Sequence, residues 1–316
     1  LSAPLATPAN LLVILGPTGS GKSHLGLRLA EEFDGEIINC DSVQIYRQLD
    51  AGSAKTPIAE RRGIPHHLID VSSIDDHFSA GDFQRLAGQA VASIHARGRL
   101  PIVVGGTGFY LRALLEGLSA APQRDAVLRE RLQRIAAKRP LALHRLVAAK
   151  DPLAATRIHP NDRQKLIRAL EVIALSGQPA SALQERPRDA LTGVRVVKLG
   201  LNPPRPLLND RLDRRCIYMF DHGLIEEASS LLAAGYSANS KALQSLGYKQ
   251  AILVLAGGTS RAAALEDCQL KTRQYAKRQL TWFRKEPNVR WLAGFGDDEM
   301  IENEAIVFIQ RTRIST

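Results

Sequence analysis

The chain predicts an α/β protein, a parallel β-sheet flanked by helices, with an inserted all-helical domain. Three observations carry this. Short apolar runs alternate with amphipathic stretches through the first hundred residues, a glycine-rich loop joins the first run to the first helix, and strand-like runs stop between about Ser119 and Gly193. Alternating strands and helices imply right-handed βαβ units and a sheet covered on both faces. Ligands then gather beyond the carboxyl ends of the strands.

The elements follow in order. "LLVIL" (Leu11 to Leu15) is the first strand, "HLGLRLAEEF" the first helix and "EIINCD" the second strand, while "AGDFQRLAGQAVASIHARGR" reads as a helix leading to a third strand, "PIVVGG". In the insert, "RDAVLRERLQRIAAK" sets Leu128, Leu132 and Ile135 on one helical face and Arg131, Arg134 and Lys138 on another. "PNDRQKLIRALEVIAL" begins at Asn161 with Gln164 three residues on, the pattern of a capping box. "VRVVKLGLNPP" is a strand returning the chain to the sheet, and the remainder reads as helical. The expected division is residues 10–118 and 194–316 for the core and 119–193 for the insert, with the leading "LSAPLATPAN" a disordered tail.

At 316 residues and 45% apolar the chain can bury a full core. It carries 42 Lys and Arg against 32 Asp and Glu, a formal +10, which favours a polyanionic partner. The insert holds 14 of those basic residues and 7 of the acidic ones, so most of the excess is concentrated there. "KTRQYAKRQLTWFRK" (Lys271 to Lys285) adds six basic residues, no acid and three aromatics, Tyr275, Trp282 and Phe283. Such a mixture suits a nucleic-acid backbone and its unstacked bases, or a surface helix with an aromatic edge turned to the core. Cys40, Cys216 and Cys268 form neither a disulfide framework nor a zinc pattern, which fits a reducing cytoplasm. No apolar run approaches the roughly 20 residues of a membrane span, so no membrane partner is expected.

The chemistry begins at GPTGSGKS: Gly16, Pro17, Thr18, Gly19, Ser20, Gly21, Lys22 and Ser23. Its glycines let backbone N–H groups converge on phosphate oxygens, Lys22 adds a point charge, Ser23 can ligate Mg²⁺, and the following helix contributes its dipole. A strand before and a helix after make this a P-loop NTPase-like arrangement. Asp41 follows the second strand, where a carboxylate can accept a proton from a nucleophile; an N-cap or turn is the alternative use. Ser42 and Gln44 could bind a nucleobase edge. The third strand ends in "VVGGTGFY", without the acid a metal-dependent ATP hydrolase would show; Gly105, Gly106 and Gly108 permit close backbone approach, and Thr107 offers a hydroxyl. His66 and His67 lack a third metal partner and read as loop residues. Arg211 and Arg215, four apart, suit an oxyanion or helical ion pairs. "SLGYKQ" reads as a turn beside a helix.

Together the motifs resemble the tRNA dimethylallyltransferases, which prenylate an adenosine next to the anticodon. GPTGSGKS, DSVQIYR, GSAKTP, GIPHHLID, GGTGFYLRALLEGL, NDRQKLIRALEV, SLGYKQ and AKRQLTWFR occur in the family's order over nearly the whole chain. The match is to the bacterial type, without a zinc-finger tail. The resemblance implies that the loop, with Arg215, holds the diphosphate of dimethylallyl diphosphate, and that the prenyl group passes to N6 of adenine at position 37 as pyrophosphate leaves. It further implies Asp41 as general base, Thr107 as a catalytic group and Mg²⁺ on Ser23. Contacts with the anticodon stem-loop are implied for Asp41, Ser42, Val43, Gln44, Thr107, Arg129, and Asn161, Asp162, Arg163, Gln164 and Lys165. The same holds for Ser245, Leu246, Gly247, Tyr248, Lys249 and Gln250, and for Lys277, Arg278, Gln279, Leu280, Thr281, Trp282, Phe283 and Arg284. A cytoplasmic monomer is expected. The rival readings are a free-adenylate prenyltransferase, a small-molecule P-loop kinase and an RNA-binding protein that uses its loop as a switch.

Overall fold

Leu11 to Leu15 form the central strand of the sheet, and every one of them is buried. The computed structural model describes residues 9–119, 121–139, 141–184 and 189–312. Residues 1–8 of the leading segment lie outside these, and Ala9 and Asn10 already belong to the first strand. Two compact units emerge: one built from the chain up to Leu114 and from Leu191 onward, the other from Leu115–Ala190.

The first unit opens with β1 (Ala9–Leu15), α1 (Lys22–Glu32), β2 (Gly35–Asn39), β3 (His66–His67), α2 (Ala80–Ala96), β4 (Leu100–Gly105) and α3 (Gly108–Glu116). The second unit holds α4 (Ala126–Lys138), α5 (Ala142–Lys150), α6 (Pro152–Arg157), α7 (Arg163–Ser176) and α8 (Ala180–Gln184). The chain then returns to the first unit with β5 (Val194–Leu201), α9 (Arg205–Asp221), α10 (Leu224–Ala233), α11 (Tyr248–Leu255), α12 (Arg261–Phe283), β6 (Val289–Leu292) and α13 (Glu299–Thr312). The sheet order is β3-β2-β4-β1-β5-β6 and every pairing is parallel, with Leu12 opposite Ile102 and Val197.

Continuous apolar strands demand cover on both faces. Along β1, Leu12 and Ile14 point into a cluster with Leu25 and Leu29 of α1, Ile102 and Val104 of β4, Leu199 of β5 and Ile306 and Ile309 of α13. Toward the opposite face, Val13 and Leu15 lie beside Val103, Leu111 and Phe283. Burying one such leucine contributes about 1.5–3 kcal/mol, and together these residues fix the strand order that places the loops.

Two short strands depart from the sequence reading. His66–His67 is an edge strand paired with β2, not a loop, and His67 meets the buried Glu36 at 2.7 Å. The final segment is not wholly helical: β6 pairs with β5 from Lys198↔Val289 to Leu201↔Leu292. Two- and four-residue strands carry too little periodicity to be seen locally, because their partners lie far away in sequence. In the second unit Asp162, not Asn161, caps α7, its side chain accepting from Lys165 N–H at 3.1 Å. Arg129 there braces α4 against α7 through a two-point ion pair with buried Glu171, which Arg168 also approaches.

The glycines that end β4 and follow it are required by neighbours. A Cβ on Gly105 would lie 2.1 Å from the Cys40 carbonyl oxygen, and one on Gly106 or Gly108 would lie 2.2 Å from Gln279 Nε2 or the Trp282 indole. The Cys40 contact is with backbone and cannot swing aside, so Gly105→Ala should destabilise the protein by about 1–3 kcal/mol through overpacking. Thermal unfolding should show a melting point several degrees lower; an unchanged one would mean that the end of β2 can yield.

Candidate active site

The phosphate loop links β1 to α1, and its shape comes from left-handed glycines. Gly19 (φ 76°) and Gly21 (φ 84°) take a conformation that L-residues avoid, and Gly21 serves as the N-cap of α1 with no side-chain cap beneath it. The first-turn amides of α1 are therefore left to an anion, where the helix dipole also favours negative charge. Beyond the reach of sequence reasoning, the segment after β6 packs against this loop. Gly296 N–H donates to Ser20 O at 2.8 Å, and a Cβ on Gly21 would fall 2.5 Å from Asp297 Oδ1. Asp297 in turn holds Arg211 by two bonds of 2.8 Å, so this arginine pairs with a residue far along the chain and not within its helix. The one local signal is the turn-rich "GFGDD".

Thr18 is fastened from both ends. Its N–H donates to Gln279 Oε1 at 2.8 Å, and its hydroxyl oxygen accepts from Arg215 Nη1 at 3.2 Å. Lys22 folds back to donate to Pro17 O at 2.6 Å. A cavity of about 630 Å³ opens over the loop, and Thr18, Lys22, Ser23, Asp41, Arg211, Arg214 and Arg215 line it. A second, of about 280 Å³, is walled by Ser42, Val43, Cys216, Ser245, Leu246, Tyr275 and Arg278. Thr18, Asp41, Ser53 and Arg215 belong to the walls of both.

Asp41 lies where the two cavities meet, held by a turn of its own. Its Oδ1 accepts from Val43 N–H at 2.8 Å and more weakly from Gln44 N–H at 3.4 Å. The turn and the proton-acceptor readings of this residue are thus compatible, because one oxygen makes the turn and the other remains for chemistry. Thr107 Oγ1 accepts from Ser42 N–H at 3.0 Å, tying the end of β4 to the segment after β2. Gln44 lines the larger cavity and anchors itself on the Ser53 and Ala54 carbonyls.

The electrostatics favour an anion. Burial lowers the pKa of Lys22 from 10.5 to about 8, with Asp41 opposing the fall and Arg215 adding to it. Arg215 is likewise pulled below its usual range by burial, again against Asp41. Two desolvated cations face one carboxylate, and a bound diphosphate would relieve that imbalance.

The remaining expected contacts divide by exposure. On α12, Lys277, Arg278, Thr281 and Trp282 are exposed, as is Arg284 just past its end, with Arg112 stacked on the Trp282 ring at 4.8 Å. Gln279 and Phe283 are buried, and Leu280 is half-buried. Around α11, Ser245 and Leu246 line the smaller cavity and Lys249 is exposed. Tyr248 is buried and accepts from Gly52 N–H at 3.0 Å while its hydroxyl donates to Glu227. Gln250 is also buried and caps Gly247 N–H at 3.0 Å. In the second unit Asn161, Arg163, Gln164 and Lys165 form an exposed strip at the start of α7.

A family model described as IPP transferase matches residues 44–286. A tRNA dimethylallyltransferase of Koribacter versatilis is 52% identical over 95% of this chain and 98% of its own. One of Solibacter usitatus is 51% identical over 94% and 96%. Among solved structures, the full-length tRNA isopentenylpyrophosphate transferase of Bacillus halodurans superposes with a TM-score of 0.71 at 37% identity, covering 96% of each chain. A eukaryotic dimethylallyltransferase acting on tRNA does so with 0.81 at 28% identity, covering 97% of this chain and 80% of that one.

The depressed Lys22 pKa has a measurable consequence. An anion binds the protonated amine better, so bound diphosphate should raise the Lys22 pKa and draw in a proton above pH 8, while below it the site is already charged. Affinity for dimethylallyl diphosphate should stay level up to about pH 8 and then fall. At pH 8.5, calorimetry in buffers of differing ionisation heat should detect uptake of roughly three quarters of a proton per site. Uptake that is absent, or that survives in Lys22→Met, would assign the proton elsewhere.

Proposed function

The chain belongs to the family of tRNA dimethylallyltransferases, and from that premise we propose how its residues carry the reaction: transfer of the dimethylallyl group of dimethylallyl diphosphate to N6 of the adenosine next to the anticodon, position 37, in tRNA. The observation that carries the proposal is the shared wall. Thr18, Asp41 and Arg215 border both the cavity over the phosphate loop and the smaller cavity beside Ser245 and Leu246. A donor seated by its diphosphate in the first and an acceptor reaching in through the second would meet at Asp41.

The diphosphate lies on the loop amides, Lys22 and Arg215. N6 of adenine forms a bond to C1 of the dimethylallyl chain as the C1–O bond breaks, and the bonding electrons leave with pyrophosphate. The amine is a weak nucleophile because its lone pair is delocalised into the ring. Much of the rate enhancement therefore comes from stabilising the negative charge that grows on the leaving group. The cations are already in place and desolvated, so little reorganisation is needed at the moment of transfer. The free oxygen of Asp41 takes the amine proton, and Thr107 holds Ser42 and so fixes the segment that carries this base.

Among the described residues no cluster of His, Cys, Asp and Glu is arranged to hold a metal. A Mg²⁺ ion that keeps water and substrate phosphates as most of its ligands needs little more than the Ser23 hydroxyl, a hard oxygen donor on the wall of the cavity over the loop. When bound it would supply further charge neutralisation on the diphosphate.

The exposed basic faces of α12 and α7 suit an RNA backbone, and an adenine within a stacked loop must be turned out to enter a cavity of this size. All of these groups come from one chain, which suits a monomer. No helix among the described residues is long and apolar enough to cross a membrane, and a tRNA substrate suits a cytoplasmic reaction.

Incubation with labelled dimethylallyl diphosphate and Mg²⁺ should put label into tRNA and not into AMP; label in AMP alone, or in neither, overturns the assignment. Asp41→Asn retains an oxygen for the turn while removing the base. It should lower kcat by at least ~10²-fold, with both substrate affinities within a few fold of the parent. Near-normal turnover would remove Asp41 as the proton acceptor.

A further inference from the structure

Gln279 lies in the segment of α12 whose exposed residues face solvent, yet its side chain points the other way. It is 5% exposed and lines the cavity over the phosphate loop. Its Oε1 accepts from Thr18 N–H at 2.8 Å, and its Nε2 donates to Gly106 O at 2.9 Å. Tyr275, one turn back on the same helix, lies on the wall of the smaller cavity. Gly106 completes the fit, since a Cβ there would stand 2.2 Å from Nε2.

Only an uncharged amide of this length offers an acceptor to Thr18 and a donor to Gly106 together. The bond to Gly106 is buried and the one to Thr18 part-buried, so losing the first leaves a buried carbonyl unpaired and losing the second frees the loop amide to turn. We propose that Gln279 is a positioning residue for the donor: it locks the Thr18 end of the phosphate loop to the end of β4, setting the loop amides for diphosphate, and does not contact tRNA. The proposal rests on the function above only in naming the diphosphate, since the lock itself is a property of the loop. Thr18 is then held at its N–H by α12 and at its hydroxyl by Arg215 of α9, so two helices remote in sequence shape one phosphate seat.

Gln279→Met keeps the length and removes both hydrogen bonds. Gln279→Glu keeps an acceptor for Thr18, loses the donor to Gly106 and adds charge beside the diphosphate. Affinity for inorganic pyrophosphate, measured by calorimetry, should fall about tenfold in the first and further in the second. KM for dimethylallyl diphosphate should rise in parallel, and KM for tRNA should stay within twofold. Should either variant unfold, Gly106→Ala tests the same lock by pushing the amide aside, and it should show the same selective loss. A raised tRNA KM with unchanged pyrophosphate affinity would overturn the proposal, as would unchanged values for both. Failure of the parent to prenylate tRNA would strike at the function instead, because pyrophosphate binding reads the loop whatever group is transferred.

Discussion

The fastening of Thr18 is the constraint on which the site depends. A glycine-rich loop is permissive by nature, and left-handed glycines lower the cost of its phosphate-binding form without selecting it. Selection comes from outside the loop. Gln279 holds the Thr18 amide, Arg215 holds the Thr18 hydroxyl, and Gly296 N–H holds Ser20 O. These partners belong to α12, α9 and the segment after β6, all of which follow the second unit in the chain. A phosphate seat that reads as an N-terminal motif is thus completed by the C-terminal third.

The same helices set the charge. Lys22 and Arg215 are both desolvated and both opposed by the single carboxylate of Asp41, which leaves the site short of negative charge. Preorganised cations of this kind stabilise a leaving diphosphate better than flexible surface charges, because their reorganisation was completed on folding. The turn at Asp41 uses only one oxygen, which leaves the other for the proposed role as base. The glycines that end β4 and follow it, in place of the acid of a metal-dependent hydrolase, have a steric meaning as well. They let Cys40, Gln279 and Trp282 approach the strand end.

The loop, the parallel sheet and the helical nature of the inserted stretch were legible in the amino-acid order because each is specified by contiguous residues. Eight residues spell the loop, and strand and helix periods declare themselves within a dozen. Other features were not legible. Asn161 and Asp162 are adjacent residues that both suit a cap, and only the reach of Asp162 to Lys165 N–H decides between them. Gln279 stands among basic residues that face solvent, and no local pattern shows that its helical position turns it inward. The short strands β3 and β6 exist because β2 and β5 offer them backbone partners.

Local order in the chain therefore established which groups are present: a phosphate loop, a carboxylate after the second strand, glycines after the strand that follows, and basic helices fit for RNA. Packing alone decided how they act. Helix register turned Gln279 and Phe283 inward and left Lys277, Arg278 and Trp282 outward. The return of β5 and β6 to the sheet brought Arg215 to Thr18 and Asp297 to Arg211. Such contacts join residues 86 to 261 positions apart, and their energies depend on burial and distance, which local sequence patterns do not encode.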